Sequence, residues 1–375
     1  PFATGARRYG IRVTGPATFH GGIEQSAGTI TVQGNDSAGI SVETAIDGGL
    51  RTNGAITVTG DRSYGVHTAS TVGGDVSIRS TVTAQGQGAV AVATDDNIGG
   101  QLVLGNAITA TGFRYTTRPT DDAIGKLEAD DLLIGGPAVR VRGDVFGGIT
   151  IDAPPADTNP NDADEDDDGV TDSAETTGVI RSYGSAPALQ IGSDSRSVRI
   201  GLDGRPSGAY GLDIKGAVQS AGVYDGVSTV GVQLGGMGGS VSVEGGIRVL
   251  GEVSATSAKA AATGMRLGSG VTAQRIYVEG GKLTAASTSS DAVDVRALQI
   301  DAGASTGYLA NSGTISATIT GTKGSATAIL DSSGTLRTIE NNNAIVAGIA
   351  NTSGEAVTGS MVAMDLRANT QGVTV

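Results

Sequence analysis

Ile30-Thr31-Val32-Gln33-Gly34, Ile56-Thr57-Val58-Thr59-Gly60 and Ile108-Thr109-Ala110-Thr111-Gly112 are three versions of one phrase. The glycines that close them belong to a series, Gly34, Gly60, Gly86 and Gly112, with a step of 26 residues. Gly22, Gly48, Gly74 and Gly100 keep the same step. Within each phrase aliphatic and hydroxyl side chains alternate. An extended chain sends successive side chains to opposite faces, so the aliphatics point to one side and the threonines to the other. Threonine suits the solvated face of a strand. One such strand cannot bury its apolar stripe alone. A fixed step of this length therefore predicts coils that stack and complete a shared core.

A small residue followed by an aliphatic carries the pattern through the chain. It occurs at Gly10-Ile11, Gly39-Ile40, Gly65-Val66, Ala91-Val92, Ala138-Val139 and Ala188-Leu189. It continues at Gly211-Leu212, Gly231-Val232, Gly264-Met265, Ala292-Val293, Ala328-Ile329 and Ala363-Met364. The reading is an all-β chain, a right-handed parallel β-helix (β-solenoid) of about twelve coils with inserted loops; the hand follows the crossover rule for parallel strands. A β-sandwich or propeller is the competing architecture, but propeller blades need a constant length near 40 residues, and these spacings vary. Two spacings are long, 47 residues from Ala91 to Ala138 and 50 from Ala138 to Ala188. The expected organisation is N-terminal coils over 1–112, an inserted loop over 113–135, a coil over 136–153, an acidic insertion over 154–177 and C-terminal coils over 178–375.

Composition agrees with a thin aliphatic core. The chain has 61 glycines, four phenylalanines, eight tyrosines, two histidines and neither cysteine nor tryptophan. Absent cysteine excludes disulfides and thiolate metal sites. A net charge of −13 argues against nucleic acid and anionic membrane, which recruit lysine and arginine. No apolar run is long enough for a transmembrane helix. The start at Pro1, without a signal peptide, is read as that of a mature or excised piece of a longer precursor.

Asn35-Asp36-Ser37-Ala38-Gly39-Ile40 and Asp61-Arg62-Ser63-Tyr64-Gly65-Val66 resemble passenger repeats of Gram-negative autotransporters. The run from Asn311-Ser312-Gly313-Thr314-Ile315 to Ile339-Glu340-Asn341-Asn342-Asn343-Ala344-Ile345 is similar to repetitive surface proteins of α-proteobacteria. The resemblance covers most of the chain outside residues 113–134 and 154–177. It implies a solenoid exposed on the outer surface of a Gram-negative bacterium. An autotransporter would carry a membrane β-barrel after such coils; the expectation is that the barrel lies beyond this piece or that the protein is exported another way.

The acidic insertion carries a ligand pattern. With Asp164 as position 1 of a twelve-residue calcium loop, Asp166, Asp168, Gly169, Val170, Asp172 and Glu175 take positions 3, 5, 6, 7, 9 and 12. Carboxylates at those steps, a glycine for the sharp turn and a backbone carbonyl at position 7 make a hard-oxygen cage for Ca2+. Asp164, Asp166, Asp168, Val170, Asp172 and Glu175 are the candidate ligands, in a structural role. The competing reading is a solvated acidic loop.

Signals for catalysis are thinner. Gly34-Asn35-Asp36-Ser37-Ala38-Gly39 has the look of a protease nucleophile loop that His20 or His67 would serve, but its recurrence at Ser63 marks a repeat turn. Asp121-Asp122 resembles paired acids of β-solenoid pectinases, with His67 or Arg118 as partners, yet no tight His, Arg and Asp cluster is legible in the sequence. Arg142-Gly143-Asp144 lies between Val141 and Val145 and reads as part of a coil. No catalytic residue is assigned, and the chain is read as no enzyme. The expected function is structural: a passenger, adhesin, fibre or surface-layer segment, associating end to end or with neighbouring coils. Alternatives are a polysaccharide lyase or hydrolase on the same scaffold, and a glycan- or host-binding module.

Overall fold

The computed structural model describes residues 3–155, 158–159, 161–165, 170–351 and 354–375. Its thirty-four strands form three long parallel sheets and one short one. The first sheet has eleven strands, from Tyr9–Val13 to Ser360–Asp365. The second has ten, from Ile23–Gln25 to Thr338–Asn341, and the third has ten, from Thr29–Gln33 to Ala344–Ala350. The chain visits the sheets in turn and pairs with itself one coil later, which is a parallel β-solenoid.

Register shows why this sequence stacks. Ile40, Val66, Val92, Val139, Leu189, Val232, Met265, Leu298, Ile329 and Met364 are successive partners in the first sheet. Leu50, Val76, Leu102, Ile149, Leu212, Ile247, Ile276, Leu309 and Ile339 do the same in the second. Ile56, Val82, Ile108, Ile180, Val218, Val253, Leu283 and Ile315 do so in the third. Nearly all are completely buried and belong to one core running down the axis. Outward, the third sheet stacks Thr31, Thr57, Thr83 and Thr109. The alternation in the opening phrases therefore reports the two faces of this sheet.

The small residue before the aliphatic lies within the strand at Gly39, Gly65 and Ala91, where adjacent coils press together. A Cβ on Gly39 would lie 2.6 Å from the Gly65 carbonyl of the next coil. Asp36 and Arg62 hold positive φ one coil apart, and Arg62 pairs with Asp36 through two hydrogen bonds of 2.8 Å. Side chains in these turns also cap the neighbouring backbone: Asn35 accepts from the Asp61 amide and Asp61 from the Gln87 amide, each at 2.8 Å.

Two of the expected anchors shift. The first sheet has eleven strands, one fewer than the twelve anchors require. Gly211-Leu212 opens a strand of the second sheet, where Leu212 partners Ile149. Ala292-Val293 precedes its strand, and the position in register is Ala297-Leu298. The reason is shared: a small residue before a core aliphatic fits a strand of any of the sheets, so the phrase does not say which sheet it serves. Around Val295 the first and third sheets also carry longer strands. These bury a second seam of Ala255, Ala262, Ala285, Ala317, Ile319 and Ala326.

Three connections depart from the coil. Residues 113–135 contain a short helix, Asp121–Ile124, and a 3-10 turn, Ala129–Leu132. They lie over the third sheet, where Phe113 packs edge-on to Tyr224 at 4.7 Å, with Ile124, Leu127, Tyr183 and Val227 around them. Residues 154–177 follow Ile149–Ile151 and precede Val179–Tyr183. A third excursion, residues 201–211, was not anticipated. It follows Val198–Ile200, a strand of the short fourth sheet with Val241–Val243 and Val271–Ala273. No helix of the described chain is long and apolar enough to cross a membrane.

Candidate functional site: a polar groove on the second sheet

The outer face of the second sheet carries, coil by coil, Glu24, Arg51, Ser77, Val103, Thr150, Asp213, Arg248 and Tyr277. Over its first coils this face is the floor of an open groove of about 930 Å³. The insertion at 154–177 borders it through Val170, and the excursion at 201–211 borders it through Arg205 and Pro206. The groove follows the stacking direction, because its floor residues come from consecutive coils.

The floor holds charges of both signs in defined places. Asp152, almost fully buried, lies 3.3 Å from Arg79 and 3.2 Å from Lys215. Glu175, also buried, stands 3.8 Å from the same Arg79. Asp75 accepts from the Gln101 amide at 2.7 Å. Arg205 reaches across two coils and donates to Thr150 Oγ1 at 2.9 Å and Gln101 Oε1 at 3.3 Å. Burial lowers the pKa of its guanidinium, against the opposing pull of Asp213. Among the described residues no carboxylate lies within ion-pair distance of Arg205 or Arg51.

Beyond the groove the same face becomes aromatic. Tyr210 meets Tyr277 edge-on at 5.6 Å, and Tyr277 lies 5.5 Å from Tyr308. Arg248 and Arg275 each sit 4.9 Å from the Tyr210 ring centre. Arg248 is fixed by two bonds to Asp213, at 2.9 and 2.7 Å. Hydrogen bonding to Glu340, then burial, raises the Tyr308 pKa.

The first sheet carries a second cluster, which corrects the reading that no tight His, Arg and Asp group exists. His67 Nε2 lies 2.9 Å from Asp95 Oδ2, and Arg140 donates to both Asp95 oxygens at 3.0 and 2.9 Å. The Tyr64 ring stacks on His67 at 4.1 Å. Burial by itself would raise the Asp95 pKa, but the His67 hydrogen bond and the Arg140 charge outweigh it and hold the carboxyl at about 2. Sequence spacing hides the group, since parallel stacking alone brings residues 28 and 45 positions from Asp95 into contact.

The other enzyme-like signals fall apart. Ser37 donates to the Asn35 carbonyl and accepts from the Arg8 amide, whereas His20 pairs with Asp47 at 2.7 Å in the open. Asp121 pairs with Arg118 at 3.0 Å on the exposed loop. Asp144 of the Arg-Gly-Asp tripeptide accepts the Arg199 amide at 2.8 Å, as part of a coil corner.

Of the six calcium-ligand candidates, Asp166 and Asp168 lie outside the described residues. Asp172 accepts from the Glu165 amide at 3.2 Å, and Asp164 donates its own amide to Asp162 at 3.2 Å. Val170 lines the groove and Glu175 faces Arg79. Among the described residues no group of three or more metal-ligating side chains converges. In comparisons with known proteins, the chain matches no protein family, no curated protein and no solved structure.

Proposed function

We propose that the protein is a structural solenoid of a bacterial outer surface, a rigid rod that holds its outer faces in fixed register. One observation carries this reading: a single apolar core passes through the whole stack of coils, whose corners are tied by side-chain ladders. The lack of cysteine and the resemblance to Gram-negative passenger repeats support an extracellular setting. Exposed Met361, whose register partner Ala326 is buried one coil earlier, supports end-to-end association. Calcium in the 154–177 insertion belongs to the same proposal, as a structural ion; there Glu175 would exchange Arg79 for the metal. The test is an antibody against the folded rod, applied to intact and to lysed source cells. Labelling of intact cells is expected, and labelling only after lysis would refute the surface role.

The Tyr64, His67, Asp95 and Arg140 cluster favours a second reading, a polysaccharide-active enzyme. A carboxylate-bound imidazole beside an arginine is the kind of pair that serves general base catalysis. Assay against a panel of polysaccharides, with His67→Ala as control, separates the two. The structural reading expects no turnover; turnover lost in His67→Ala would replace it.

A further inference from the structure

We propose that the groove on the second sheet binds a linear acidic polysaccharide, a chain of carboxylate-bearing sugars laid along the solenoid axis. The inference rests on the groove alone and is independent of where the protein resides.

Four features select this ligand. The groove is long and open, crossing the floor strands that contain Ile23, Leu50, Ser77, Val103 and Thr150. These strands repeat at about 4.8 Å, so a polymer of regular repeat can make equivalent contacts coil after coil. Apart from Ile23–Gln25, which is the edge strand, the floor strands are interior to the sheet and paired on both sides. Their backbones are thus closed to strand addition, the usual means of holding an extended peptide. Recognition must come from side chains, and the floor supplies Ser77, Gln101 and Thr150 for hydroxyl groups.

Charge sets the sign, with Arg51, Arg79, Arg205 and Lys215 in the lining against Glu24, Asp75 and Asp152. Asp152 is already answered by Arg79 and Lys215. Arg51 and Arg205 keep their guanidinium groups free of carboxylate partners among the described residues, in a chain of net charge −13. A planar donor fork of this kind matches a carboxylate bidentately. Arg205 is also pre-placed by Thr150 and Gln101, which lowers the entropy lost on binding. Farther along the face, half-buried Tyr277 and Tyr308 offer an apolar ring with a polar tip.

The experiment is calorimetric titration of the intact chain with size-defined oligomers of polygalacturonate, polymannuronate and hyaluronan. Neutral glucan oligomers and poly-glutamate serve as comparators. At least one acidic sugar series should bind, tightening with length until the floor is filled at about five coils of ~4.8 Å each, and weakening with added salt. Arg51→Ala and Arg205→Ala should each weaken binding tenfold or more, while Arg266→Ala on the first sheet leaves it unchanged. Thermal melts identify any variant that unfolds, and Arg205→Lys then supplies the graded loss. The proposal fails if none of the three acidic series binds or if neutral glucans bind equally well. It fails likewise if poly-glutamate binds as tightly as any sugar, or if folded Arg51→Ala and Arg205→Ala bind like wild type.

Discussion

Asp95 shows how one residue is set by three coils. Its carboxylate takes His67 from the coil before and Arg140 from the coil after. Its folded pKa, about 2, lies below the unfolded value near 3.9. The folded state therefore binds the proton less readily, and the pair contributes stability that is present above pH ~4 and lost as pH falls toward 2. The difference corresponds to roughly 2.5 kcal/mol. Denaturant unfolding at pH 6 and pH 2 should show the gap between wild type and Asp95→Asn shrinking by about that amount. A gap that does not change with pH would place the effect in packing instead. Gly39 illustrates a steric constraint at the same scale. Gly39→Val puts side-chain atoms against the Gly65 carbonyl, and a loss of 1–3 kcal/mol, about the cost of overpacking, is expected in the same assay.

At the scale of the element, a strand is stabilised by its rank in a stack. Leu102 is fully buried between Val76 and Ile149, so Leu102→Ala should cost about 2–5 kcal/mol. Threonine on the outward stack is different: Thr83→Ala should change stability by less than about 0.5 kcal/mol. The 154–177 insertion is a separate element, because Ile149–Ile151 and Val179–Tyr183 keep their ladder partners without it. Calcium titrated into chelator-stripped protein should release heat that Asp164→Ala/Glu175→Ala abolishes. Chelation should raise protease cleavage within 158–177 before the solenoid melts. Equal heats from wild type and the double variant would remove the metal from the proposal.

For the whole molecule, eleven coils at about 4.8 Å each give a rod roughly 50 Å long. Small-angle scattering should return that length with a uniform cross-section, and a spherical profile would contradict it. Because each coil touches mainly its neighbours, stability is close to a sum of local and nearest-neighbour terms. Hydrogen exchange should accordingly be slowest in the central coils around Leu102, Ile149 and Leu212. It should be faster in the outermost coils, where Ile11, Val13, Ile345 and Met364 are only partly buried.

The alternation in Ile56-Thr57-Val58-Thr59 and the 26-residue step were enough to specify the parallel solenoid and its first coils, because core and solvent faces are written locally, two residues at a time. The two long spacings, Ala91 to Ala138 and Ala138 to Ala188, span the segments 113–135 and 154–177. The coil number and the assignment of Gly211-Leu212 and Ala292-Val293 were not legible, since a small residue before a core aliphatic suits every sheet. The polar groupings on the outer faces were hidden in the sequence. Glu24, Arg51, Thr150 and Arg205 share a groove, and His67, Asp95 and Arg140 share a cluster, only because parallel stacking converts separations of tens to more than a hundred residues into contacts one or two coils apart. Which outward residue meets which is decided by register and by the length of each excursion, and those are properties of the folded stack.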